Sequence, residues 1–456
     1  MTQRSINPAT GEVFAEYQSH TDDQLQQCVD SAGKAFLTWR ETSFAERAEL
    51  LIKVAIGLEA NADRHAHLMA GEVGKILAEG RSEAEKSAWV CRYYAENGEE
   101  FLAPEYAETE AAESFVAFRP LGAILAVMPW NFPFWQVFRA AVPALMAGNT
   151  MLLKHASNVP GCALEIERIF CDAGFPVGVF QTILTSSDKV AGLIADPAIR
   201  GITLTGSTPA GRAVASAAGQ QLKKCVLELG GSDPYVVLAD AEVAAAAEVC
   251  VTSRLINCGQ SCIAAKRFVV VESVREEFES AVVERMTRTR WGDPMDESSD
   301  IGPMARIDLR DRLHDQVVRS VEAGASCLVG GTNPGGAGAF YPPTVLSDVR
   351  PGIPAYEEEL FGPVAAILPV DDDESAIEVA NDTSFGLGAA VFTSDIARGT
   401  RIATNQLEAG CCFVNGFVRS DPRMPFGGIK DSGSGRELSR FGIREFVNVK
   451  SIVVAG

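Results

Sequence analysis

The sequence predicts an α/β fold with two doubly wound domains and a small additional β element. Between residues 122 and 231, short apolar runs alternate with helical stretches, and a similar alternation fills residues 234 to 416. The chain has 456 residues, which is more than one hydrophobic core usually serves. Alternation of strands and helices is typical of parallel βαβ units, so each series predicts one largely parallel sheet.

The first hundred residues or so are predicted to be helical. Thr21 with Gln24, and Ser43 with Glu46, each match the capping box that begins many helices. Apolar residues follow Thr21 at helical spacing. We therefore expect one helix to begin after Thr21 and another after Ser43.

The strands of the first sheet are predicted from short, nearly continuous apolar runs, which suit strands buried on both faces. These runs are GAILAVMPW (122–130), MLLKHA (151–156), VFQTIL (179–184), GITLTG (201–206) and CVLELGG (225–231). A more alternating segment, residues 113–119, precedes them.

The second sheet is predicted from a further set of apolar runs. These are PYVVLAD (234–240), RFVVVE (267–272), CLVGG (327–331), VAAILPV (364–370), GAAVFT (388–393) and CCFVNG (411–416). After Gly433 the chain ends in β-rich residues that have no partner nearby in sequence. We expect this tail to pair with another element or with another subunit.

Composition excludes several classes of function. The formal net charge is −20 and the pI is near 4.8, so nucleic acid and anionic membranes should be repelled. No run approaches the ~18 apolar residues of a spanning helix, and the N-terminus lacks an apolar signal core, so a cytoplasmic protein is predicted. Eleven irregularly spaced cysteines indicate reduced thiols, and no second pair or nearby histidine completes a metal site around Cys258 and Cys262.

The strongest candidate for chemistry is Cys262, at the end of the glycine-containing segment NCGQSC. A thiol needs backbone dipoles or a nearby base to become an effective nucleophile. Glu228, at the end of a predicted strand, is a candidate base. The segment GSTPAG (206–211) follows the GITLT strand and opens a helix, so its amides suit a phosphate. Thr208 stands where the usual dinucleotide motif has a second glycine, so an ordinary turn is an equal interpretation.

Context comes from segments spread over the chain from residue 6 to the last strand. They are INPATGE (6–12), PWNFPFW (129–135), GNTMLLKHAS (148–157), LTGST (204–208), ELGG (228–231), NCGQSC (257–262), EELFGPV (358–364) and PFGGIKDSGSGRE (425–437). In this order they resemble the aldehyde dehydrogenase family. Within it, the chain looks most similar to bacterial NAD(P)-dependent succinate-semialdehyde dehydrogenases, through residues 154–158, 223–234 and 415–428.

The resemblance implies a fold with a cofactor-binding domain, a catalytic domain and a β oligomerisation element. It also implies a catalytic role for three residues. Cys262 would attack the aldehyde carbon and then carry a thioester. Asn131 would donate its side-chain amide to the oxyanion, and Glu228 would be the base that activates the hydrolytic water. Without the resemblance, Asn131 would suit a turn and Glu228 a solvated strand end.

The cofactor contacts implied by the resemblance lie in the same segments. They are Trp130, Lys154, Ser157, Gly206, Ser207, Glu359 and Phe361. Many NAD-preferring members have a glutamate at the position of Ser157, which binds the 2′-hydroxyl and would repel a 2′-phosphate. We therefore expect NADP or NAD as cofactor, with NADP preferred, and no metal.

For the substrate, the resemblance implies an aldehyde that carries a carboxylate. Arg139, eight residues after Asn131, stands where succinate-semialdehyde dehydrogenases have a carboxylate-binding arginine. A buried structural ion pair is the alternative role for Arg139. Ser420 and Gln136 are the further predicted substrate contacts.

Three positions depart from the family pattern. A second arginine of some relatives is Ile256 here, so another carboxylate ligand must come from elsewhere, with Arg423 and Gln136 as candidates. The lysine that partners the glutamate of GRE is Ala140 here, which is expected to leave Glu437 without that partner. The cysteine that some relatives use as a redox switch is Ala264, so redox protection would have to come from Cys258.

The expected domains are residues 1–105 with 126–230 for the cofactor and residues 231–430 for catalysis. Residues 106–125 with 431–456 would form the oligomerisation element, and a homo-oligomer is expected, as a dimer. The expected reaction is oxidation of succinate semialdehyde. Glutarate semialdehyde is the near alternative substrate, and transfer of the thioester to CoA is the alternative reaction, which Glu228 argues against. A binding protein on an inactive scaffold is a third interpretation, disfavoured because nucleophile, base and oxyanion donor are all present.

Overall fold

The computed structural model describes residues 2–456 and begins with a β-hairpin rather than a helix. Strand β1 (Thr2–Ile6) pairs antiparallel with β2 (Val13–Gln18). The turn between them closes when the Gly11 amide donates to the Asn7 carbonyl at 2.7 Å, with Gly11 at φ 76°. The expectation of helix is wrong for this segment because Asn and Gly turn chemistry outweighs the weak helical pattern.

Four helices follow the hairpin. They are α1 (Asp22–Trp39), α2 (Phe44–Ala60), α3 (Ala62–Val73) and α4 (Leu77–Phe101). Both predicted capping boxes are confirmed. The side chains of Thr21 and Ser43 accept from the main-chain amides of Gln24 and Glu46, and the side chains of Gln24 and Glu46 accept from the main-chain amides of Thr21 and Ser43.

The middle of the chain alternates strands and helices as predicted. Its strands are β3 (Glu105–Tyr106), β4 (Glu113–Pro120), β5 (Ala123–Met128), β6 (Thr150–His155), β7 (Phe180–Thr182), β8 (Ile199–Thr205) and β9 (Lys224–Glu228). Its helices are α5 (Trp135–Met146), α6 (Pro160–Asp172), α7 (Val190–Ala195) and α8 (Thr208–Gln220).

A second alternation fills the next part of the chain. Its strands are β10 (Asp233–Val237), β11 (Ala265–Val271), β12 (Ser326–Val329), β13 (Thr344–Ser347), β14 (Val364–Val370), β15 (Gly388–Phe392) and β16 (Cys411–Val414). Its helices are α9 (Val243–Leu255), α10 (Glu272–Arg288), α11 (Ile307–Glu322), α12 (Pro354–Glu357), α13 (Asp373–Asn381) and α14 (Ile396–Asn405). The tail contains β17 (Gly433–Ser434), α15 (Ser439–Ile443) and β18 (Val447–Val454).

The first large sheet has the order β17-β9-β8-β5-β6-β7 and is parallel apart from the short edge strand β17. The chain order reverses between β5 and β8, and ligands of such sheets bind beyond the carboxyl ends of the strands at this reversal. Residues that follow β5, β8 and β9 therefore gather at one edge.

The second large sheet has the order β12-β13-β14-β11-β10-β15-β16, parallel apart from the β12–β13 pair. Central strands such as β6 and β11 are wholly buried, as their continuous apolar runs predicted, whereas the edge strand β12 is mostly exposed. The loop that carries Cys262 lies between α9 and β11 of this sheet.

The tail strand β18 pairs antiparallel with β4 along its whole length, from Val447 opposite Pro120 to Val454 opposite Glu113. The resulting order is β18-β4-β3, so β18 forms an edge of this small sheet. The tail therefore finds its partner within the same chain. None of the helices within residues 2–456 is long and apolar enough to cross a membrane. The predicted division into domains stays a prediction.

Candidate active site

Cys262 follows a tight turn of left-handed residues. Asn257, Cys258 and Gly259 have φ angles of 55°, 51° and 72°. Non-glycine residues in this region cost on the order of 1–3 kcal/mol and persist only where the surroundings impose them. Gly259 is required for a second reason, because a Cβ there would collide with the main chain of Gly362.

Side chains from several elements hold this turn. The Asn257 amide side chain donates to the main-chain carbonyl of Asn131 at 2.7 Å, and the Asn257 main-chain amide donates to Glu79 Oε1 at 2.8 Å. The buried guanidinium of Arg254 donates to the Gly259 carbonyl. These buried bonds fix the turn relative to α4 and to the loop after β5.

Lys266 fixes the main chain at Ser261 and Cys262. Its Nζ donates to the carbonyls of Ser261 at 2.9 Å and Cys262 at 2.7 Å, and lies 3.4 Å from Glu359 Oε1. Burial raises the pKa of the Cys262 thiol to about 12, and the positive charges of Arg139 and Lys266 oppose that rise. The resting thiol is therefore protonated, and two cations stabilise the thiolate when it forms.

Cys262 lies where two cavities meet. One cavity of about 320 Å³ is lined by α4, α5 and the loop around Ser420. The other, of about 470 Å³, is lined by the ends of β8 and β9 and by residues 358 to 361. We name them the aldehyde cavity and the cofactor groove. Cys262 and Gln136 line both, so Cys262 is within reach of both cavities.

The Asn131 side chain is fixed at this junction. Its Nδ2 donates to the Gln260 carbonyl at 2.9 Å, and its Oδ1 accepts from Gln136 Nε2 at 3.1 Å. A primary amide has two N–H groups, so one remains to donate. Gln136, predicted as a substrate contact, thus orients Asn131 and leaves its own buried Oε1 without a hydrogen-bond partner.

Glu228 ends β9 and is 2% exposed. Neither carboxyl oxygen has a hydrogen-bond partner within residues 2–456. Burial, and then the negative charge of Glu437, raise the pKa of Glu228 well above its usual value. Gly427 makes room for the carboxyl group, since a Cβ there would lie 2.7 Å from Glu228 Oε1. A buried, unpaired carboxyl group of this kind is typical of a proton acceptor in catalysis.

The cofactor groove begins at the N-terminus of α8. Gly206 follows β8, Ser207 is the N-cap residue, and both line the groove. Gly206 does not have a positive φ, and a Cβ there would contact only Leu204, at 3.6 Å. Packing within the protein therefore does not require glycine at 206, whereas close approach of a ligand phosphate to the helix N-terminus would.

The opposite wall of the groove is formed by Trp130, Phe361 and Glu359. The rings of Trp130 and Phe361 meet edge to face with centroids 5.9 Å apart. Glu359 Oε1 accepts from the Gly231 amide at 3.2 Å, and a Cβ at Gly230 would lie 2.6 Å from Glu359 Oε2. Apolar walls with a few fixed polar groups and a helix N-terminus fit a dinucleotide.

Lys154 and Ser157 lie at the same edge of the sheet but outside the walls of the groove. Lys154 is near the end of β6, opposite Val127 of β5, and burial lowers its pKa. Ser157 is two residues beyond β6 and exposed. Their place at the carboxyl end of a strand next to β5 suits contact with the distal part of a ligand that extends from the groove.

Arg139 is buried in the wall of the aldehyde cavity and forms an ion pair with Glu437. Its guanidinium stacks on Phe426, 4.6 Å from the ring centroid, and Nη2 lies 3.4 Å from Thr205 Oγ1. Glu437 therefore lacks the lysine that Ala140 replaces, as expected, but it has a different partner. Arg139, next to Ala140 on α5, supplies the positive charge that the missing lysine would have supplied.

Ser420 lines the aldehyde cavity beside Lys86, a residue that was not among the predicted site residues. Lys86 Nζ donates to Ser420 Oγ at 2.9 Å and lies 4.4 Å from the centroid of a Trp135 ring. Trp135 Nε1 also donates to Ser420 Oγ, at 3.0 Å. The exposed Arg419 also lines this cavity. Lys86 carries no motif, and its only sequence signal is a charge on a largely buried helix face.

Other predicted residues lie elsewhere. Arg423 points away from the aldehyde cavity: its side chain is 66% exposed and pairs with Asp421 at 2.6 Å. Ile256 and Ala264 line the cavity as apolar wall. Cys258 is buried in a hydrophobic cluster, and burial raises the pKa of its thiol well above the usual value. A redox role for Cys258 finds no support in this position.

Comparison with known proteins agrees with this geometry. The sequence pattern of the aldehyde dehydrogenase family matches residues 1–452. The chain is 50% identical to a Synechocystis protein named probable succinate-semialdehyde dehydrogenase (NADP+), over 100% of both chains. It is 47% identical to the Escherichia coli succinate semialdehyde dehydrogenase (NAD(P)+) Sad, over 98% of this chain and 97% of that one.

A solved structure is similar over the whole chain. The crystal structure of succinic semialdehyde dehydrogenase from Streptococcus pyogenes in complex with NADP+ has a TM-score of 0.97, at 36% identity and over 100% of both chains. The predicted α/β architecture with two doubly wound sheets is confirmed.

Proposed function

Because this chain belongs to the aldehyde dehydrogenase family, we propose that it oxidises succinate semialdehyde to succinate, with NADP or NAD as the hydride acceptor. The observation that carries the proposal is the position of Cys262 between two cavities, one of which has cationic groups in its wall. The names of the relatives at 47–50% identity support the choice of aldehyde.

The reaction begins at Cys262. Its thiol loses a proton and adds to the aldehyde carbon, which forms a carbon–sulfur bond and an oxyanion. The free N–H of the Asn131 side chain is held next to this position by Gln260 and Gln136, so it can donate without reorganising. One such donor is worth on the order of 100 to 1,000-fold in rate.

NADP or NAD bound in the groove would supply the hydride acceptor for the carbon atom attached to sulfur, which would leave a thioester on Cys262. Gly206, Ser207, Trp130, Glu359 and Phe361 would hold that cofactor in the groove, with Lys154 and Ser157 at its distal end. The Trp130 and Phe361 rings form an apolar part of the groove that Cys262 also lines.

Glu228 then serves as base for thioester hydrolysis. Its raised pKa makes the ionised carboxylate a strong proton acceptor, because burial leaves that charge poorly solvated. The carboxylate removes a proton from water as the water attacks the thioester, which releases succinate and the Cys262 thiol. Such base assistance is typically worth about 100 to 10,000-fold. The presence of Glu228 disfavours transfer of the thioester to CoA.

The proposal is tested by the rate of cofactor reduction with succinate semialdehyde and with butyraldehyde, which has the same number of carbon atoms and no carboxylate. We expect kcat/KM to favour succinate semialdehyde by more than about tenfold, or roughly 1.4 kcal/mol. Cys262→Ala is the inactive control. Equal rates for the two aldehydes would contradict the proposal, and a higher rate with glutarate semialdehyde would reassign the substrate to the longer acid.

NADP is the proposed preferred cofactor. Ser157 presents a small hydroxyl where a glutamate would repel a 2′-phosphate, and two of the relatives above carry NADP+ in their names. A higher kcat/KM with NAD than with NADP would contradict this preference.

A homo-oligomer, in particular a dimer, is proposed through the edge strand β18. Val449 and Val453 on this strand are 61% and 65% exposed, and an apolar strand edge is a ready site for pairing with a second copy. Light scattering with the Val453→Lys variant would test this: a dimer that persists unchanged would exclude this edge. A cytoplasmic location also stays a prediction.

A further inference from the structure

Lys86 is a partly buried cation without a carboxylate partner. No acidic side chain within residues 2–456 lies at ion-pair distance from its Nζ, which contacts only the Ser420 hydroxyl and the face of Trp135. It lies on α4, and the same helix contributes Glu79 and Glu83 to the wall of the aldehyde cavity. Burying an ammonium group without a counter-charge is costly, which indicates that a ligand supplies the missing charge.

Arg139 and Glu83 in this wall already have ion-pair partners, whereas Arg419, which is exposed, has none within residues 2–456. Arg139 pairs with Glu437. Glu83 pairs with Lys75 and accepts from the main-chain amides of Phe134 and Trp135, at 2.8 and 3.0 Å. The cavity that ends at Cys262 therefore presents Lys86 as a partly buried cation that is free to meet an anion.

Ser420 adds a directed donor beside this cation. Its oxygen accepts from both Lys86 Nζ and Trp135 Nε1, so its own O–H hydrogen is left to donate. The lysine ammonium and the serine hydroxyl together offer two hydrogen bonds to one small anion. Since Lys86, Ser420 and Cys262 line the same cavity, an anion at this point belongs to the substrate whose aldehyde meets Cys262.

We propose that Lys86, with Ser420, binds the carboxylate of the aldehyde substrate and so determines specificity for an acid-bearing aldehyde. This inference rests on the proposed function and deepens it, because the predicted carboxylate ligand, Arg139, is committed to Glu437. Burial, and next the charge of Arg139, lower the pKa of Lys86 to about 8, and a bound carboxylate would favour the charged form.

The test compares Lys86→Met with the unchanged protein, using succinate semialdehyde and butyraldehyde at saturating NADP. Methionine keeps an unbranched chain and removes the charge. We expect KM for succinate semialdehyde to rise at least about tenfold, equivalent to about 1.4 kcal/mol, with kcat little changed. KM and kcat for butyraldehyde should stay within about twofold. Inhibition by succinate should weaken in parallel.

Two further variants keep the test decisive. Ser420→Ala retains the charge and should produce a smaller loss, again confined to the acid-bearing aldehyde. Lys53→Met, on an exposed face of α2, is the matched control and should leave both substrates unchanged. Thermal unfolding of each variant shows whether it is folded.

Failure of this inference differs from failure of the proposed function. If the unchanged protein shows no higher kcat/KM for succinate semialdehyde than for butyraldehyde, the proposed function is wrong. If it does and Lys86→Met keeps that preference, only the role of Lys86 is overturned. Equal losses with both aldehydes would assign Lys86 a structural role instead.

Discussion

Replacement of Asn131 by alanine should remove the side-chain amide that we propose as the donor to the oxyanion on the aldehyde. The Asn131 amide is 4% exposed, and its orientation is set by bonds to Gln260 and Gln136, so water cannot easily substitute for it. A preorganised donor of this kind is worth about 2.7–4 kcal/mol, so kcat/KM should fall on the order of 100 to 1,000-fold.

The same change should cost little stability. Asn131→Ala leaves the buried Gln136 amide without its acceptor, but the Gln260 carbonyl still accepts from Asn257 Nδ2 at 3.2 Å. One unpaired buried polar group lowers the free energy of unfolding by about 1–3 kcal/mol, and this free energy is about 5–15 kcal/mol for a typical protein. The variant should therefore fold and bind cofactor normally.

The assay is steady-state cofactor reduction with denaturant unfolding of the same samples. Asn149→Ala is the matched control, because Asn149 is also buried, bonds to the carbonyls of Ala144 and Phe446, and lies outside both cavities. It should lose stability while its kcat/KM stays within about threefold. A kcat/KM for folded Asn131→Ala within about threefold of the unchanged protein would refute the oxyanion role.

Three other outcomes are expected. Glu228→Gln should slow turnover by about 100 to 10,000-fold but still give a burst of one reduced cofactor per Cys262, because hydride transfer precedes hydrolysis; a lost burst in stopped-flow would contradict this order. Burial raises the pKa of both Glu228 and Cys262, so their reactive ionised forms increase as pH rises, and kcat should rise from pH 6 to about 9; a flat or falling profile would contradict the assignment. Ser157→Glu should lower kcat/KM for NADP by at least about tenfold and spare NAD, since a carboxylate repels a 2′-phosphate; equal losses with both cofactors would show that Ser157 does not read the phosphate.

Features with local causes could be predicted from the sequence. The capping box at Thr21 involves residues three apart, and the buried strands of both sheets are marked by their own apolar runs. The gathering of Gly206 and Glu228 at one edge follows from parallel topology alone. The β1–β2 hairpin could not be predicted in the same way, because its two strands are largely exposed and carry no continuous apolar run.

Features that depend on distant segments could not be predicted. Arg139 and Glu437 come from α5 and the tail, so nothing local indicates that they pair. Ala140 indicated that Glu437 lacks the family's lysine partner, but not that the neighbouring Arg139 side chain reaches the same carboxylate. The proposed role of Lys86 could not be predicted from the sequence, because it depends on how α4 packs against the Ser420 loop. This is a tertiary contact between residues 334 apart in sequence.

The two cavities that meet at Cys262 have only Cys262 and Gln136 in common among the described residues that line them. Residues that line the aldehyde cavity can therefore be replaced while those that line the cofactor groove stay unchanged. Mutations around Lys86 and Ser420 can change which aldehyde is accepted without altering how the redox partner is held. For protein engineering, this makes the aldehyde wall a region that can be redesigned independently, provided that Gln136, which orients Asn131, is retained.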